Sequence, residues 1–190
     1  MNRVVVLSWS EVQAMCRAAL ADGRPDVASM FALGAGFGLR IGDVLRLRWR
    51  DITDPNGEIR DRLEIRETKR ASLRIIRTPA WVRTVLERHK AALGDDFDPD
   101  RRIVAFGREW AWELTRHYAE KAGIRRGPVS PHSLRKAFCQ TVYERTRDPA
   151  LTARLTGHRS PEALLAYIGA LTPTAERVLE EICAIGFAEG

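Results

Sequence analysis

The sequence predicts an α+β fold, mostly α-helical, with one small antiparallel hairpin. Three observations predict it. Apolar residues recur at helical spacing through the first and last thirds of the chain. The period shifts to alternation over Arg62-Leu63-Glu64-Ile65-Arg66 and Leu73-Arg74-Ile75. The 190 residues, 45% hydrophobic and 29% charged, are enough for one packed domain and too apolar for disorder.

Each element has a local reason. Ser8-Trp9-Ser10-Glu11 opens the first helix as a capping box. Val12, Met15, Cys16, Ala19 and Leu20 follow at helical spacing, and Gly23 ends the run. A second helix starts near Asp26 and takes in Met30, Phe31 and Leu33. The stretch Gly34-Ala35-Gly36-Phe37-Gly38 is too glycine-rich for a freestanding helix. It reads as a place of close helix packing or of backbone approach to a ligand. As a nucleotide loop its GxGxG spacing is weak, since no strand precedes it and no Lys-Ser follows. Ile41 to Trp49 is predicted helical, with Val44, Leu45 and Trp49 facing the core. Asp54-Pro55-Asn56-Gly57 is a turn. The hairpin comes next, and its tip carries Lys69 and Arg70. Pro79 starts a helix with Val82, Val85, Leu86 and Leu93 on one face. Ile103-Val104-Ala105-Phe106 is read as a short extended piece. Helices at about 108–122, 132–147, 149–156, 160–168 and 174–186 complete the chain, with Arg125 and Arg126 in a loop before Pro131. Trp49, Trp110 and Trp112 are expected in the core.

Composition narrows the function. No apolar run reaches the ~20 residues of a membrane span, and the short apolar start before Trp9 and Glu11 does not make a signal peptide. Cys16, Cys139 and Cys183 are widely spaced, so no zinc site or disulfide framework is signalled, and a reduced cytoplasmic protein is expected. The 31 basic residues are 27 arginines and four lysines, against 25 acidic residues. Residues 60–90 hold ten basic and four acidic side chains, and residues 116–145 hold seven and two. Residues 174–190 hold one and four. Two basic segments and an acidic tail suit a polyanion-binding face, with nucleic acid the leading partner. Arginines on solvated helix faces would leave the same pattern, and charge alone does not separate the two.

Three segments carry more than packing: Gly38-Leu39-Arg40-Ile41-Gly42-Asp43, His132-Ser133-Leu134-Arg135, and Thr156-Gly157-His158 followed by Tyr167. In type, order and spacing they resemble the catalytic domain of the tyrosine recombinase (phage integrase) family. The family has GLR followed by an acidic residue, a lysine on a β-hairpin, HxLR, LGH and a tyrosine. Arg135 to His158 spans 23 residues and His158 to Tyr167 spans nine, as in the family, and Lys69 follows Thr68 on the hairpin. The resemblance runs from about Leu7 to Tyr167. It implies that family's catalytic-domain fold and a DNA recombinase that cleaves and rejoins strands through a 3′-phosphotyrosyl intermediate. No metal, cofactor or ATP is implied. The implied partners are double-stranded DNA and a homo-oligomer, a tetramer on two duplexes.

The chemistry explains the set. Arg40 and Arg135 can hold non-bridging phosphate oxygens with forked, charge-assisted hydrogen bonds where charge develops. Tyr167 is the implied nucleophile. Its phenol, with an unperturbed pKa of ~10, needs a proton acceptor in a positive setting. His132 is base or orienting partner, and His158 is a further donor to phosphate. The resemblance assigns protonation of the leaving 5′ oxygen to Lys69. Asp43 is read as a supporting residue that orients an arginine. Arg70, Arg74, Arg125 and Arg126 are candidate DNA contacts. Taken singly, each has an ordinary structural reading: exposed arginines, a solvated turn lysine, helix-end histidines, an amphipathic tyrosine. The joint order and spacing favour the site.

Three departures stand out. Thr156 replaces the leucine usual before Gly-His. Arg40 to Lys69 spans 29 residues, a somewhat long connection. Residues 1–173 read as the catalytic domain, so the family's N-terminal DNA-clamping domain is expected to be absent. Residues 174–190 read as a C-terminal helix that exchanges between protomers. Two rival readings are a type IB topoisomerase-like nicking-closing enzyme and a non-catalytic DNA-binding regulator.

Overall fold

A computed structural model describes residues 5–66 and 73–169, with backbone alone at Arg66, Leu73 and Arg74. Lys69, Arg70 and the tail at 174–190 lie outside the described residues, as does the Arg74 side chain.

Helix α1 (Trp9–Ala21) starts on the expected capping box: Ser8 accepts from the Glu11 N–H, and Glu11 accepts from the Ser8 N–H at 2.8 Å. Its apolar stripe, Val12, Met15, Cys16 and Ala19, is buried against α2 (Pro25–Gly36). Helix α2 is buried from Val27 through Gly36, on every face. A helix apolar all round belongs at the centre of a core. Accordingly α2 packs on α1, on α3 (Ile41–Val44), on α5 (Ala80–Leu93) and on α7 (Pro131–Thr146). The glycine-rich stretch is thus helical as far as Gly36. A Cβ on Gly36 would lie 2.3 Å from Val82 Cγ2, so glycine is what lets α5 approach. Of the two readings, close packing holds.

The predicted helix from Ile41 to Trp49 is broken. Helix α3 ends at Val44, Leu45 to Arg48 leave the helix, and a second short helix, α4, spans Trp49–Ile52. Arg48 instead bridges to Arg102, and the Ile103 N–H donates to the Leu47 carbonyl at 3.0 Å. This pairing satisfies the backbone groups that a continuing helix would have used internally. It also accounts for the extended reading of Ile103 and Val104, which are buried although no named strand includes them. Trp49 is buried, whereas Trp110 and Trp112 are 63% and 41% exposed, which corrects the expectation for those two. They lie near the start of α6 (Arg108–Lys121), on its open side.

The hairpin pairs β1 (Arg62–Arg66) with β2 (Leu73–Arg77), Leu63 opposite Ile76 and Ile65 opposite Arg74. Leu63 and Ile65 face the core while Glu64 points outward. After α7 come two short helices, α8 (Pro149–Thr156) and α9 (Pro161–Ile168). Each opens on a capping side chain followed by proline, Asp148-Pro149 and Ser160-Pro161. They close over a small second apolar cluster of Cys139, Ala153, Leu164 and Ile168.

Candidate active site

A cleft of about 730 Å³ opens between α3, the start of α6, the start of α7 and the α8–α9 pair. Its lining includes Arg40, His132, Arg135, His158 and Tyr167, five of the six predicted catalytic residues. The sixth, Lys69, lies outside the described residues.

Each side chain has a structural reason to be there. Gly38 adopts φ +61°, a left-handed conformation that glycine tolerates, and a Cβ there would lie 2.4 Å from Phe138 Cδ1. The turn it makes sets Arg40 as the residue preceding α3. His132 and Arg135 lie in the first turns of α7, where the Ser133 hydroxyl accepts from the Ser130 N–H at 3.2 Å. Helix α8 ends on Gly157, which places His158 just beyond its C-terminus. Tyr167 lies in the last turn of α9.

Arg135 ties these parts together. It is 3% exposed, and its guanidinium donates to the carbonyls of Gly38 and Thr156, both at 2.5 Å. Arg40 donates to the Gly157 carbonyl at 3.5 Å. Two guanidinium groups therefore meet the C-terminal end of α8, where carbonyls lack helical partners and the dipole is negative. The carbonyls orient both guanidinium groups in the cleft that they line. Among the described residues, the lining carries Arg40, Arg46, Arg102, Arg108 and Arg135 against the carboxylate Asp43.

Asp43 is 9% exposed and pairs with Arg46 at 2.8 Å. Arg46, Arg102 and Arg108 were not singled out by sequence reasoning. Among 27 arginines nothing marks them until the Arg48–Arg102 bridge and the α6 start bring them to one cleft. Arg125 lines a separate concavity with Arg116 and Glu120. Arg126 is engaged by Glu11 of α1 and by the Val6 carbonyl.

The titrating groups are shifted in opposite senses. The half-buried Tyr167 phenol is raised well above its ordinary value of 10.0, by burial first and then by Cys139, while Arg135 and Arg40 pull it down. His132 is lowered from 6.5 by desolvation, then by Arg108, Arg135 and Arg40, so its ring is neutral at pH 7. The Tyr167 hydroxyl donates to the His132 carbonyl at 3.3 Å, and its ring lies 5.1 Å from that of His158. The nucleophile candidate is thus held protonated beside two imidazoles and two guanidiniums.

The description "Phage integrase family" matches residues 6–172. The chain belongs to the phage integrase family. Among its relatives, a probable integrase/recombinase, YoeC, of Bacillus subtilis is 27% identical over 143 residues, 74% of this chain and 75% of that protein. The tyrosine recombinase XerA of Pyrococcus furiosus is 30% identical over 138 residues, 70% of this chain and 46% of that one. The crystal structure of XerH site-specific recombinase bound to its difH substrate superposes with a TM-score of 0.71 at 18% identity, covering 97% of this chain and 55% of the other. The crystal structure of XerA recombinase gives 0.69 at 24%, covering 98% and 66%. The shared fold is the mostly helical one with a small hairpin. The chain thus spans about half the length of several proteins it resembles. Among the described residues, no helix is long and apolar enough to cross a membrane.

Proposed function

We propose that this integrase-family chain cleaves and rejoins DNA strands by tyrosine attack on a phosphodiester. The observation that carries the reading is the convergence of Tyr167 with Arg40, Arg135, His132 and His158, from four separate stretches of chain, on one cationic cleft. Arg40 and Arg135, oriented by backbone carbonyls, take the non-bridging oxygens and stabilise the charge of the pentacoordinate transition state. Tyr167 leaves the His132 carbonyl and passes its proton to the neutral His132 ring, and its oxygen bonds to phosphorus as the bond to the 5′ oxygen breaks. A 3′-phosphotyrosyl link remains, and attack on it by a 5′-hydroxyl reverses the chemistry and restores Tyr167. Lys69 is the proposed proton donor to the leaving oxygen, and His158 a donor to phosphate. Arg46, Arg102 and Arg108 extend the positive lining along the DNA backbone. Arg70, Arg74 and, from a separate concavity, Arg125 are further proposed contacts, whereas the pairing of Arg126 with Glu11 leaves it a weaker candidate. Residues 1–173 form the catalytic unit, and residues 174–190 dock on a second protomer when DNA brings copies together. The XerH structure, bound to its difH substrate, and the lambda integrase structure, a dimer bound to a core site, support the substrate and the oligomer by shared fold. The cytoplasm is the proposed compartment.

The test is incubation with a duplex nicked next to the cleavage site, so that the released fragment diffuses away and the covalent intermediate accumulates. The wild-type chain yields a protein–DNA band stable to denaturant. Tyr167→Phe yields none while keeping its circular dichroism and DNA affinity. A band from the phenylalanine variant removes Tyr167 from the nucleophile's role. No band from wild type on any integrase core sequence favours the regulator reading.

A further inference from the structure

Thr156 stands where the resembling family has leucine, and its environment gives the hydroxyl a use. The residue is completely buried at the end of α8. Its Oγ1 lies 2.7 Å from the carbonyl oxygen of Thr152, a group that can only accept. The single hydroxyl proton is therefore committed to that carbonyl. The same Oγ1 lies 2.6 Å from Nδ1 of His158. With its proton directed elsewhere, Oγ1 can only accept there, so Nδ1 must carry the hydrogen. The arrangement is anchored further back. The Thr152 hydroxyl donates to the Asp148 carbonyl at 2.7 Å and meets the Thr146 hydroxyl at 3.0 Å.

We infer that Thr156 is a positioning residue for His158: it holds the neutral ring in the Nδ1–H tautomer and presents Nε2, as an acceptor, to the cleft shared with Tyr167. Two nitrogens of one imidazole lie on opposite flanks of the ring. Pinning Nδ1 to a buried hydroxyl therefore gives the other flank to the cleft that His158 lines. In this tautomer Nε2 carries no proton, and it becomes a donor to a phosphate oxygen once it takes up a proton from solvent, an uptake that the anionic phosphate favours. A leucine at 156 could accept nothing from Nδ1 and would leave the tautomer to other contacts.

The tautomer stands on hydrogen-bond geometry; its effect on cleavage rests on the function proposed above. Two measurements separate them. In the DNA-free full chain, long-range 1H–15N spectra distinguish a protonated from an unprotonated ring nitrogen, and His158→Gln identifies the resonances among the four histidines. Wild type should show Nδ1 protonated and Nε2 unprotonated in the neutral ring. Thr156→Ser should keep that pattern, and Thr156→Val should shift it toward Nε2–H. On nicked DNA the valine variant should form adduct roughly 10-fold more slowly at unchanged DNA affinity, short of the ~10²–10⁴ of losing a proton-transfer group outright. The serine variant should restore most of the rate. A wild-type ring protonated at Nε2, or a valine variant with the wild-type tautomer, overturns the inference, and the wild-type spectrum decides whether or not the valine variant folds. A switched tautomer with unchanged cleavage overturns the catalytic part. If wild type forms no adduct, the proposed function falls while the spectra still decide the tautomer.

Discussion

The core around α2 and the cluster under α8 and α9 are held by different forces. Around α2, helices meet through large apolar side chains such as Phe31, Met30 and Leu33, all fully buried, and through Gly36, which brings Val82 of α5 into contact. Dispersion and apolar burial dominate there, and both are non-directional. Among the described residues, the α8–α9 pair packs on a smaller cluster of Cys139, Ala153, Leu164 and Ile168, with Tyr143, Leu165 and Tyr167 against it. Its place is set instead by directional bonds: Arg135 to Gly38 and Thr156, Arg40 to Gly157, and hydroxyl contacts through Thr146, Thr152 and Thr156. His158 and Tyr167 belong to this second region. A site assembled across such a seam gains orientation from bonds with defined angles, and it becomes sensitive to single polar groups.

The comparison makes graded predictions. The largest effect is expected where one residue serves both regions. Arg135→Ala and Arg40→Ala should each slow adduct formation by ~10²–10³, the cost of one lost transition-state donor. Arg135→Ala should in addition destabilise the fold by about 2 kcal/mol or more, because it orphans buried carbonyls at Gly38 and Thr156. Arg40, less buried, should cost clearly less in urea unfolding. Equal stability losses for the two variants would erase the distinction drawn for the seam.

Gly36→Ala probes the other region. The added methyl meets Val82, and overpacking of this kind costs about 1–3 kcal/mol. Stability should fall by that amount in denaturant titrations. Adduct formation should stay near wild type at temperatures where the variant is folded. Loss of cleavage in a fully folded Gly36→Ala protein would show that the α2 core orients the site directly.

The smallest effect concerns His89, buried on α5 with its Nδ1 3.0 Å from the Ser29 hydroxyl and its ring against Trp49. Burial lowers it from 6.5 to about 4, with Asp26 opposing and Arg101 assisting. The unfolded chain takes up this proton as pH falls through 6.5, and the folded chain does so only near 4. The stability that goes with the neutral ring is therefore full above pH 6.5 and declines between 6.5 and 4. His89→Gln should flatten that part of the stability–pH curve and leave the pH dependence of cleavage unchanged. A curve of the same slope in the variant assigns the proton uptake to another group.

Much of this protein was legible in the chain itself. The capping box at Ser8 and the Asp-Pro and Ser-Pro starts of α8 and α9 are local signals, because caps and proline act within one turn. The stripes of α1 and α5 are legible because burial of one face repeats at the helical period. Arg40, His132, Arg135, His158 and Tyr167 were marked by joint type and spacing, and the structure brings all five to one cleft. What the tertiary structure alone decided depends on partners distant in sequence. The Arg48–Arg102 bridge breaks a helix that periodicity would have continued past Val44. Trp110 and Trp112 lie outside the core because α6 buries Ala111, Leu114 and Thr115 instead. Arg46, Arg102 and Arg108 join the cleft only through folding, since a guanidinium carries no local sign of which anion it will face. The direction of His158 follows from a hydroxyl two residues away whose proton is claimed by a helix carbonyl, a matter of hydrogen-bond geometry that residue types do not specify.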